Sequence, residues 1–268
     1  MNFELKLIIL IGRYLPRIPH ITALINRLLK PWYLRKNREE VIVDVLGFKM
    51  KLEPSECVDG GLLFYPHLYE HDEVNFLKKH LKPGDVFFDA GANIGFYSLI
   101  ASKLVGTDGI VLAVEADPYN CVKLNFNLKL NNIVNVRVLN IGLSDKKETL
   151  RLGLNTIGNR GGNSFLSQNT EGVDVVCYPI AYLLDTYKIS KISAAKFDIE
   201  GFEFRVLKNF FSEVDFRCYP NYVIIEHHPQ GVVKAGGDTI ELLKSKGYKT
   251  YGHYGDNYIM VLESRKLR

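Results

Sequence analysis

One stretch decides the fold of this 268-residue chain: Val86-Phe87-Phe88-Asp89-Ala90-Gly91-Ala92-Asn93-Ile94-Gly95. Its first five residues predict a short buried strand, its two glycines predict a tight turn, and the residues from Ile94 onward predict a helix. In an open α/β sheet, a turn of this kind lies at the carboxyl end of a strand, where ligands bind. The stretch therefore predicts a ligand site within a strand–turn–helix unit.

Strand and helix patterns alternate after this stretch. Strands are predicted at Ile110–Glu115, Val136–Ile141, Ala195–Ile199 and Tyr222–Glu226. Helices such as Pro118–Leu130 lie between them, and a hairpin is predicted from Lys249–Tyr254 and Tyr258–Leu262. Since alternating strands and helices place helices on both faces of a parallel sheet, the order predicts a doubly wound, mostly parallel α/β sheet with an antiparallel C-terminal hairpin.

The chain divides by composition into two parts. Residues 1–38 are predicted to be a basic, helical N-terminal extension, and residues 39–268 to be the α/β domain. Within that domain, residues 39–81 predict an entry hairpin and helix, and residues 147–180 an inserted hairpin with a polar loop. The extension has one acid, Glu4, and these basic residues: Lys6, Arg13, Arg17, Arg27, Lys30, Arg35, Lys36 and Arg38. Two interpretations stay open, namely peripheral contact with a membrane surface, or packing on the core or on a second subunit of a homo-oligomer.

Composition argues against several other classes of protein. A net charge of +4 is too weak to indicate nucleic-acid binding, and none is predicted. The apolar run from Leu7 to Ile11 is shorter than the roughly 20 residues that a membrane-spanning helix needs, and no cleavage-site pattern follows it. The four cysteines lack the Cys-x-x-Cys spacing of a zinc or redox site. We therefore expect a cytoplasmic protein, peripheral at the membrane surface if residues 1–38 bind lipid.

The glycines of the opening stretch, Gly91 and Gly95, are four residues apart, with Asn93 between them. A dinucleotide fingerprint has glycines at i, i+2 and i+5 around a pyrophosphate. Asp89, just before the turn, would repel a phosphate but suits a cation such as a sulfonium with an attached ammonium. Glu115 ends the next predicted strand, where a carboxylate can accept the hydroxyls of a ribose. The alternative is that both acids cap the helices that follow them.

These residues resemble the FkbM-type family of class I, S-adenosylmethionine-dependent methyltransferases, over about residues 40–262. The motifs that carry the resemblance are Tyr69-Glu70, Gly91-Ala92-Asn93-Ile94-Gly95, Glu115-Ala116-Asp117-Pro118, Asn140-Ile141-Gly142-Leu143-Ser144 and Lys196-Phe197-Asp198-Ile199-Glu200-Gly201-Phe202-Glu203. The resemblance implies a seven-stranded, Rossmann-like sheet, S-adenosylmethionine as donor, and O-methylation of a hydroxyl on a sugar, glycan or small metabolite. It implies donor-binding roles for Glu70, Asn140 and Leu143 beside Asp89, Gly91, Asn93, Gly95 and Glu115. Ala116-Asp117-Pro118 departs from the commoner Glu-Pro, but it leaves Glu115 in place.

A second group of polar residues follows the later strands. Asp198 and Glu200 would share a face if the chain stays extended, and Glu226-His227-His228 ends the neighbouring strand. Methyl transfer to an alcohol needs a base for the hydroxyl proton, and carboxylates and histidines can serve. We expect Asp198 to be that base, with His227 or His228 next, and Glu200 in support.

The remaining residues of this group are interpreted as part of the acceptor site. Glu203, Glu226 and His228 are predicted to contact the acceptor. The alternatives are that Glu203 caps a helix and that one histidine packs while the other is exposed. A divalent ion held by Asp198, Glu200 and a histidine is permitted by the spacing but is not predicted.

The polar loop from Asn155 to Gly172 is long for a connection within a compact domain. Such loops are often binding loops or lids, so Asn163 and Ser164 are predicted to contact a hydroxylated acceptor. The alternative is a mobile hairpin tip.

Two rival functions differ in class from a methyltransferase. A nicotinamide-dependent oxidoreductase is disfavoured by the glycine spacing. A non-catalytic S-adenosylmethionine-binding protein, or a membrane-associated interaction protein, is disfavoured by the acids of the second group.

Overall fold

The computed structural model describes residues 10, 12, 25–35, 39–155, 158–167, 171–227 and 236–263. Most of the predicted N-terminal extension, part of the polar loop and His228 lie outside these residues. The predicted domain limits therefore stay predictions.

Twelve strands are described, and most of them follow the predicted pattern. They are β1 (Val41–Val45), β2 (Phe48–Leu52), β3 (Val86–Ala90), β4 (Ile110–Val114), β5 (Val136–Leu139), β6 (Gly142–Leu143), β7 (Glu148–Gly153), β8 (Gly172–Tyr178), β9 (Ala194–Phe197), β10 (Tyr222–Glu226), β11 (Tyr248–Tyr254) and β12 (Asn257–Leu262). The strands predicted at Val86–Ala90 and Tyr222–Glu226 are confirmed to the residue.

Eight α-helices have both ends within the described part of the chain. They are α1 (Lys30–Leu34), α2 (Cys57–Phe64), α3 (His71–His80), α4 (Phe96–Val105), α5 (Pro118–Leu130), α6 (Ile180–Thr186), α7 (Glu203–Glu213) and α8 (Thr239–Ser245). A turn of π-helix, Ile25–Leu29, runs directly into α1. Pro118 is the first residue of α5, a position whose N–H makes no hydrogen bond within the helix, so a proline costs nothing there. Asp117 caps the same helix, because its side chain accepts a hydrogen bond from the amide of Tyr119.

The main sheet has seven strands in the order β11-β12-β10-β9-β3-β4-β5. Strands β10, β9, β3, β4 and β5 pair in parallel, and β12 runs antiparallel to both of its neighbours, β10 and β11. The predicted doubly wound α/β fold with an antiparallel C-terminal hairpin is therefore confirmed. Because the five parallel strands point the same way, the turns that follow β3, β4, β9 and β10 meet at one edge of the sheet.

Both faces of this sheet are covered, as a mostly parallel sheet requires. Phe87 and Ile224 belong to a buried cluster that includes residues of the β1–β2 hairpin and of helices α2 to α5. Phe88 and Ile225 belong to a second cluster, with residues of α6, α7 and α8. Neighbouring residues of one strand thus point to opposite faces, which decides below where two adjacent site residues lie.

Two features were not expected from the sequence. Helix α2 contains Gly60 and Gly61, which lower helix propensity, but most of the helix is buried and a Cβ at Gly61 would lie 2.8 Å from the Tyr69 ring. Tertiary packing therefore outweighs local propensity there. In addition, the strand predicted at Val136–Ile141 ends at Leu139, and β6 joins β8 and β7 in a separate three-stranded sheet.

Candidate active site

A cleft that is open to solvent lies at the carboxyl ends of β3, β4 and β9. One wall, here called the donor wall, includes Gly91, Asn93 and Glu115, and the facing acidic wall includes Asp198 and Glu200. The cleft thus brings together the two groups of polar residues that the sequence separates by about a hundred positions.

The glycine turn adopts backbone conformations that ordinary side chains disfavour. Gly91 has φ 80° and Gly95 has φ 93°. A Cβ at Gly91 would lie 1.8 Å from the carbonyl oxygen of Asp198, so only glycine lets the two walls approach this closely. Asn93, between them, is also left-handed, with φ 49°. Of these three predicted residues, Gly91 and Asn93 line the cleft, while Gly95 packs against Leu124 behind the turn.

Glu115 ties the glycine turn to the turn after β4. Its Oε2 accepts the amide of Asn93 at 2.7 Å, and its Oε1 accepts the amide of Asp117 at 2.8 Å. Burial raises the pKa of Glu115 to about 7, although the two hydrogen bonds from backbone amides act to lower it. Because each carboxylate oxygen has two lone pairs, both oxygens keep acceptor capacity for a ligand in the cleft.

Asp89 lies behind the cleft rather than in its wall. Its Oδ2 accepts the Ser98 hydroxyl at 2.6 Å, and burial raises its pKa to about 6. Its Oδ1 is buried without a hydrogen-bond partner among the described residues. The predicted direct contact between Asp89 and a donor stays a prediction.

Two further buried oxygens near Asp89 have no hydrogen-bond partner in the described part of the chain, namely Glu70 Oε2 and Tyr97 Oη. Burial and the neighbouring Glu70 carboxylate raise the pKa of Tyr97 well above its ordinary value. Glu70 itself has φ 43° just before α3. A buried carboxylate oxygen without a donor is costly, so Asp89 Oδ1 and Glu70 Oε2 suit a ligand that brings N–H donors, such as an ammonium group. The residues present therefore fit the amino-acid end of S-adenosylmethionine.

Asn140 and Leu143 occupy different positions relative to the cleft. Asn140 Nδ2 donates to the carbonyl oxygens of Glu115 at 2.9 Å and Ala116 at 3.2 Å, so it holds the turn after β4 from outside. Leu143 is buried and lines the cleft. Leu143 thus offers an apolar surface to a ligand, whereas Asn140 positions the donor wall.

Asp198 and Glu200 meet in the acidic wall, but not as an extended chain. Glu200 has φ 54° and Gly201 has φ 98°, so the chain turns immediately after β9. Carboxylate oxygens of Asp198, Glu200 and Glu226 nevertheless lie within 4.8 Å of one another. The expected extended geometry is wrong, and the convergence comes from the turn and from the parallel pairing of β9 with β10.

A buried lysine organises the charge of this wall. Lys196 Nζ lies 2.6 Å from Asp198 Oδ2, and burial alone would lower its pKa, but the charges of Asp198 and Glu70 more than offset this and raise it. Burial, followed by the charges of Asp198 and Glu203, raises the pKa of Glu200 to about 8. Burial and the same neighbouring Asp198 also raise the pKa of Glu226. At neutral pH Glu200 is therefore mostly protonated, and the protonated form of Glu226 is also favoured.

The three carboxylates also form a set of oxygen ligands of the kind that divalent ions bind. The ligand set considered from the sequence contained a histidine beside Asp198 and Glu200. In the structure the third residue of this set is Glu226 and not a histidine.

Glu203 caps its own helix. Its Oε1 accepts the amide of Ile199 at 2.8 Å and its Oε2 accepts the amide of Gly201 at 2.9 Å. Burial raises its pKa to about 7. The structure thus shows the capping alternative, and Glu203 does not line the cleft described above.

His227 does not converge with the carboxylates. Its Nε2 lies 3.8 Å from Asp238 Oδ1, and its ring stands edge-on to Tyr258. Because successive residues along a strand alternate faces, Glu226 points toward the acidic wall while His227 points toward α8. His228 lies outside the described residues.

The polar loop bridges the two walls. Asn163 Nδ2 donates to Asp117 Oδ2 at 2.8 Å, and Ser164 Oγ donates to the carbonyl oxygen of Glu200 at 2.7 Å. The described part of the loop is therefore held by specific hydrogen bonds, unlike a mobile tip. Asn163 lines the cleft, and the contact of Asn163 and Ser164 with an acceptor stays a prediction.

Two cationic residues of the site are not among the site residues predicted from the sequence. Arg160 lines the cleft, and its backbone amide donates to Glu56 Oε2 at 2.8 Å. Its guanidinium lies over the Tyr119 ring, 4.3 Å from the ring centroid. Nothing local in the sequence indicated this position. Lys196 did carry a signal, because a lysine in the otherwise apolar strand β9 must find buried partners.

Comparison with known proteins decides the family. The model of the methyltransferase FkbM domain matches residues 89–250, which is more than half of the chain. The protein belongs to the FkbM methyltransferase family. This confirms the resemblance seen in the sequence, and it sets aside the nicotinamide-dependent oxidoreductase. The match begins at Asp89 and includes Glu115, Asp198 and Glu226, so both walls of the cleft belong to the family domain.

Solved structures resemble the FkbM chain only loosely. A putative rRNA methylase from Clostridium thermocellum is 12% identical, with 72% of this chain and 94% of that chain covered and a TM-score of 0.46. A putative O-methyltransferase from Klebsiella pneumoniae is 12% identical, with coverages of 72% and 81% and a TM-score of 0.45. A putative methyltransferase from Streptococcus mutans in complex with SAH is 14% identical, with coverages of 71% and 94% and a TM-score of 0.44. The fold assignment therefore rests on the strand order, and the family on the matched residues.

Proposed function

We propose that this protein uses S-adenosylmethionine to methylate a hydroxyl of a sugar, glycan or small metabolite. The observation that carries the proposal is the cleft itself, in which a glycine turn with Glu115 faces Asp198. Membership of the FkbM family supports methyl transfer. The acids around the cleft favour a cationic donor over a pyrophosphate.

The donor wall suits each part of this donor. Glu115 has spare acceptor capacity for ribose hydroxyls, and Leu143 offers an apolar surface to the adenine. The unpartnered carboxylate oxygens of Glu70 and Asp89 suit the ammonium group. When bound, the donor supplies a methyl group that passes from sulfur to the acceptor oxygen, while the electron pair of the broken C–S bond stays on sulfur.

On the acidic wall, Asp198 is proposed to accept the hydroxyl proton. Its Oδ2 lies 2.6 Å from Lys196 Nζ, and its backbone carbonyl oxygen packs against Gly91 in the donor wall. A base positioned in this way typically contributes ~10²–10⁴-fold in rate. Glu200 and Glu226, which hold protons at neutral pH, can donate hydrogen bonds that orient the acceptor.

The test measures donor binding and transfer separately. Calorimetric titration with S-adenosylmethionine should show binding for the native protein and for Asp198→Asn. Transfer of labelled methyl to a panel of glycans, hydroxylated metabolites and amines should then fall by ~10²–10⁴-fold in Asp198→Asn. The assay is run in EDTA and with added Mg²⁺, because Asp198, Glu200 and Glu226 offer oxygen ligands.

Asp174→Asn is the matched control, since Asp174 is an exposed aspartate of β8 paired with Arg151. It should leave both measurements unchanged. Absence of donor binding at high micromolar concentration would refute the proposal. Methyl transfer that reaches only amines would refute O-methylation, and unchanged transfer in Asp198→Asn would refute Asp198 as the base. Donor binding without transfer to any acceptor would favour the non-catalytic binding protein.

A further inference from the structure

The helical segment formed by Ile25–Leu29 and α1 has one side fastened to the domain. Ile25 and Tyr33 are buried, and the Tyr33 ring stands edge-on to Phe64 of α2 with ring centroids 5.5 Å apart. Lys30 Nζ donates to the carbonyl oxygen of Glu56 at 3.0 Å. This segment is therefore packed against the domain on one side, and its opposite side faces outward.

Its outward side exposes large apolar residues. Leu28 is 57% exposed and Trp32 is 42% exposed, and the two are four residues apart on one helical segment. Arg27 and Arg35, on either side of them in sequence, are also exposed. Single exposed apolar side chains are ordinary on protein surfaces. A leucine and a tryptophan together, flanked by arginines, are typical of a helix at a lipid–water interface.

Charge separates residues 1–38, which include this helical segment, from the rest of the chain. Residues 1–38 carry eight basic residues and the single acid Glu4, whereas the whole chain has a net charge of only +4, so the remaining residues are net negative. The same 38 residues are rich in leucine and isoleucine. Aliphatic side chains gain nothing from a nucleic-acid backbone, which is bound by basic and stacking aromatic groups, but they gain from burial in lipid.

We propose that the helical segment formed by Ile25–Leu29 and α1 binds the surface of an anionic lipid bilayer, with Leu28 and Trp32 inserted at the interface and Arg27 and the following Arg35 on the headgroups. Contact with the surface is meant, because none of the described helices is long and apolar enough to cross a bilayer. The proposal is independent of methyl transfer, since binding is measured without donor or acceptor.

Trp32 provides the measurement, because it is the only tryptophan of the chain. The full chain is titrated with vesicles of phosphatidylcholine alone and with vesicles of equal parts phosphatidylcholine and phosphatidylglycerol. We expect a blue shift of tryptophan emission and co-sedimentation with the mixed vesicles, and neither with phosphatidylcholine alone. High salt should reverse the binding, because attraction to anionic headgroups is screened.

Two variants test the two parts of the surface. Leu28→Glu with Trp32→Glu should abolish co-sedimentation. Arg27→Gln with Arg35→Gln keeps the tryptophan and should lower the partition coefficient by about 30-fold, as two charges near an anionic surface imply. The matched control is Val122→Glu with Val134→Glu, which adds the same two charges at apolar residues that are 70% and 79% exposed elsewhere. It should bind like the native protein.

Three results would overturn the proposal. One is absence of co-sedimentation of the native protein with the mixed vesicles. Another is unchanged vesicle binding in the Arg27→Gln with Arg35→Gln variant. This second result is sufficient by itself if circular dichroism shows that the Leu28→Glu with Trp32→Glu variant does not fold. The third is a fluorescence response to a single-stranded RNA oligonucleotide without any response to vesicles, which would make this a nucleic-acid surface.

Discussion

The two walls of the cleft contain carboxylates that are locally almost the same. Glu115 in the donor wall and Glu203 beneath the acidic wall each accept two backbone amides through their two oxygens. Burial raises the pKa of each to about 7. Each also stabilises a turn that contains a left-handed residue, Asn93 with φ 49° in one and Glu200 with φ 54° in the other.

The difference between them is their position relative to the cleft. Glu115 lines it, whereas Glu203 holds the turn from behind so that Glu200 and Asp198 face inward. The same local chemistry therefore serves ligand contact in one wall and positioning in the other. Hydrogen-bond count and pKa alone do not separate the two roles, so variants must be compared in pairs.

The largest effect is expected where the walls touch. Gly91→Ala places a Cβ 1.8 Å from the carbonyl oxygen of Asp198 at φ 80°, so the walls must move apart. Donor affinity, measured by calorimetry, should fall by at least ~10²-fold, as displacements of about 1 Å in a site can cause.

Gly84→Ala is the control for backbone strain alone. Gly84 has φ 86°, close to that of Gly91, but nothing lies within 4 Å of its added Cβ. It should lower thermal stability by the strain of a left-handed alanine, ~1–2 kcal/mol, and leave donor affinity unchanged. Equal affinity losses in the two variants would show that the contact with Asp198 is unimportant.

An intermediate effect should distinguish the paired carboxylates. Glu115→Gln and Glu203→Gln each replace one amide acceptor by a donor, so both should lower the unfolding free energy by ~1–3 kcal/mol. In donor titrations, however, Glu115→Gln should weaken binding by about 10- to 100-fold while Glu203→Gln leaves it within a few fold. Comparable losses of affinity would mean that Glu203 also reaches the donor.

The smallest effect is a pH dependence of donor binding. With a pKa of about 7, Glu115 is mostly protonated at pH 6 and mostly ionised at pH 8. If the ionised form binds the donor, affinity should rise about tenfold over this range, with proton release in calorimetry, and Glu115→Gln should flatten the profile.

Stability should change in the opposite direction with pH. Glu115 and Glu203 have folded pKa values raised from 4.5 to about 7, so the folded protein keeps protons that the unfolded chain has already released. The free energy of unfolding should therefore fall as pH rises from about 4.5 to about 7, in urea titrations without ligand. A rise over that interval would mean that both carboxylates are ionised in the folded protein.

Local pattern was sufficient for the elements that position the donor wall. The strand Val86–Ala90 and the helix Pro118–Leu130 are observed at their predicted bounds, because apolar periodicity, glycine turns and a proline at the first helical turn are local signals. Glycine spacing and the acid at Asp89 also indicated a cationic ligand before any contact was known. The family resemblance added the donor's identity, which periodicity could not supply.

The acidic wall depended on tertiary structure. The sequence placed Asp198, Glu200, Glu226 and His227 at one sheet edge, but the alternation of faces along β10 turned His227 toward α8 and left Glu226 beside Asp198. The sequence also gave no indication that Arg160 would line the cleft.

The sequence by itself determined the parallel α/β sheet, the glycine turn and the acid at the end of the second strand, because each is encoded within a few neighbouring residues. Only the tertiary structure decided which carboxylates face the cleft, that Lys196 is paired with Asp198, and that Glu203 caps its helix. These depend on which face of a strand a residue occupies and on how closely two turns approach. Such contacts are made by the packing of whole elements and not by local pattern.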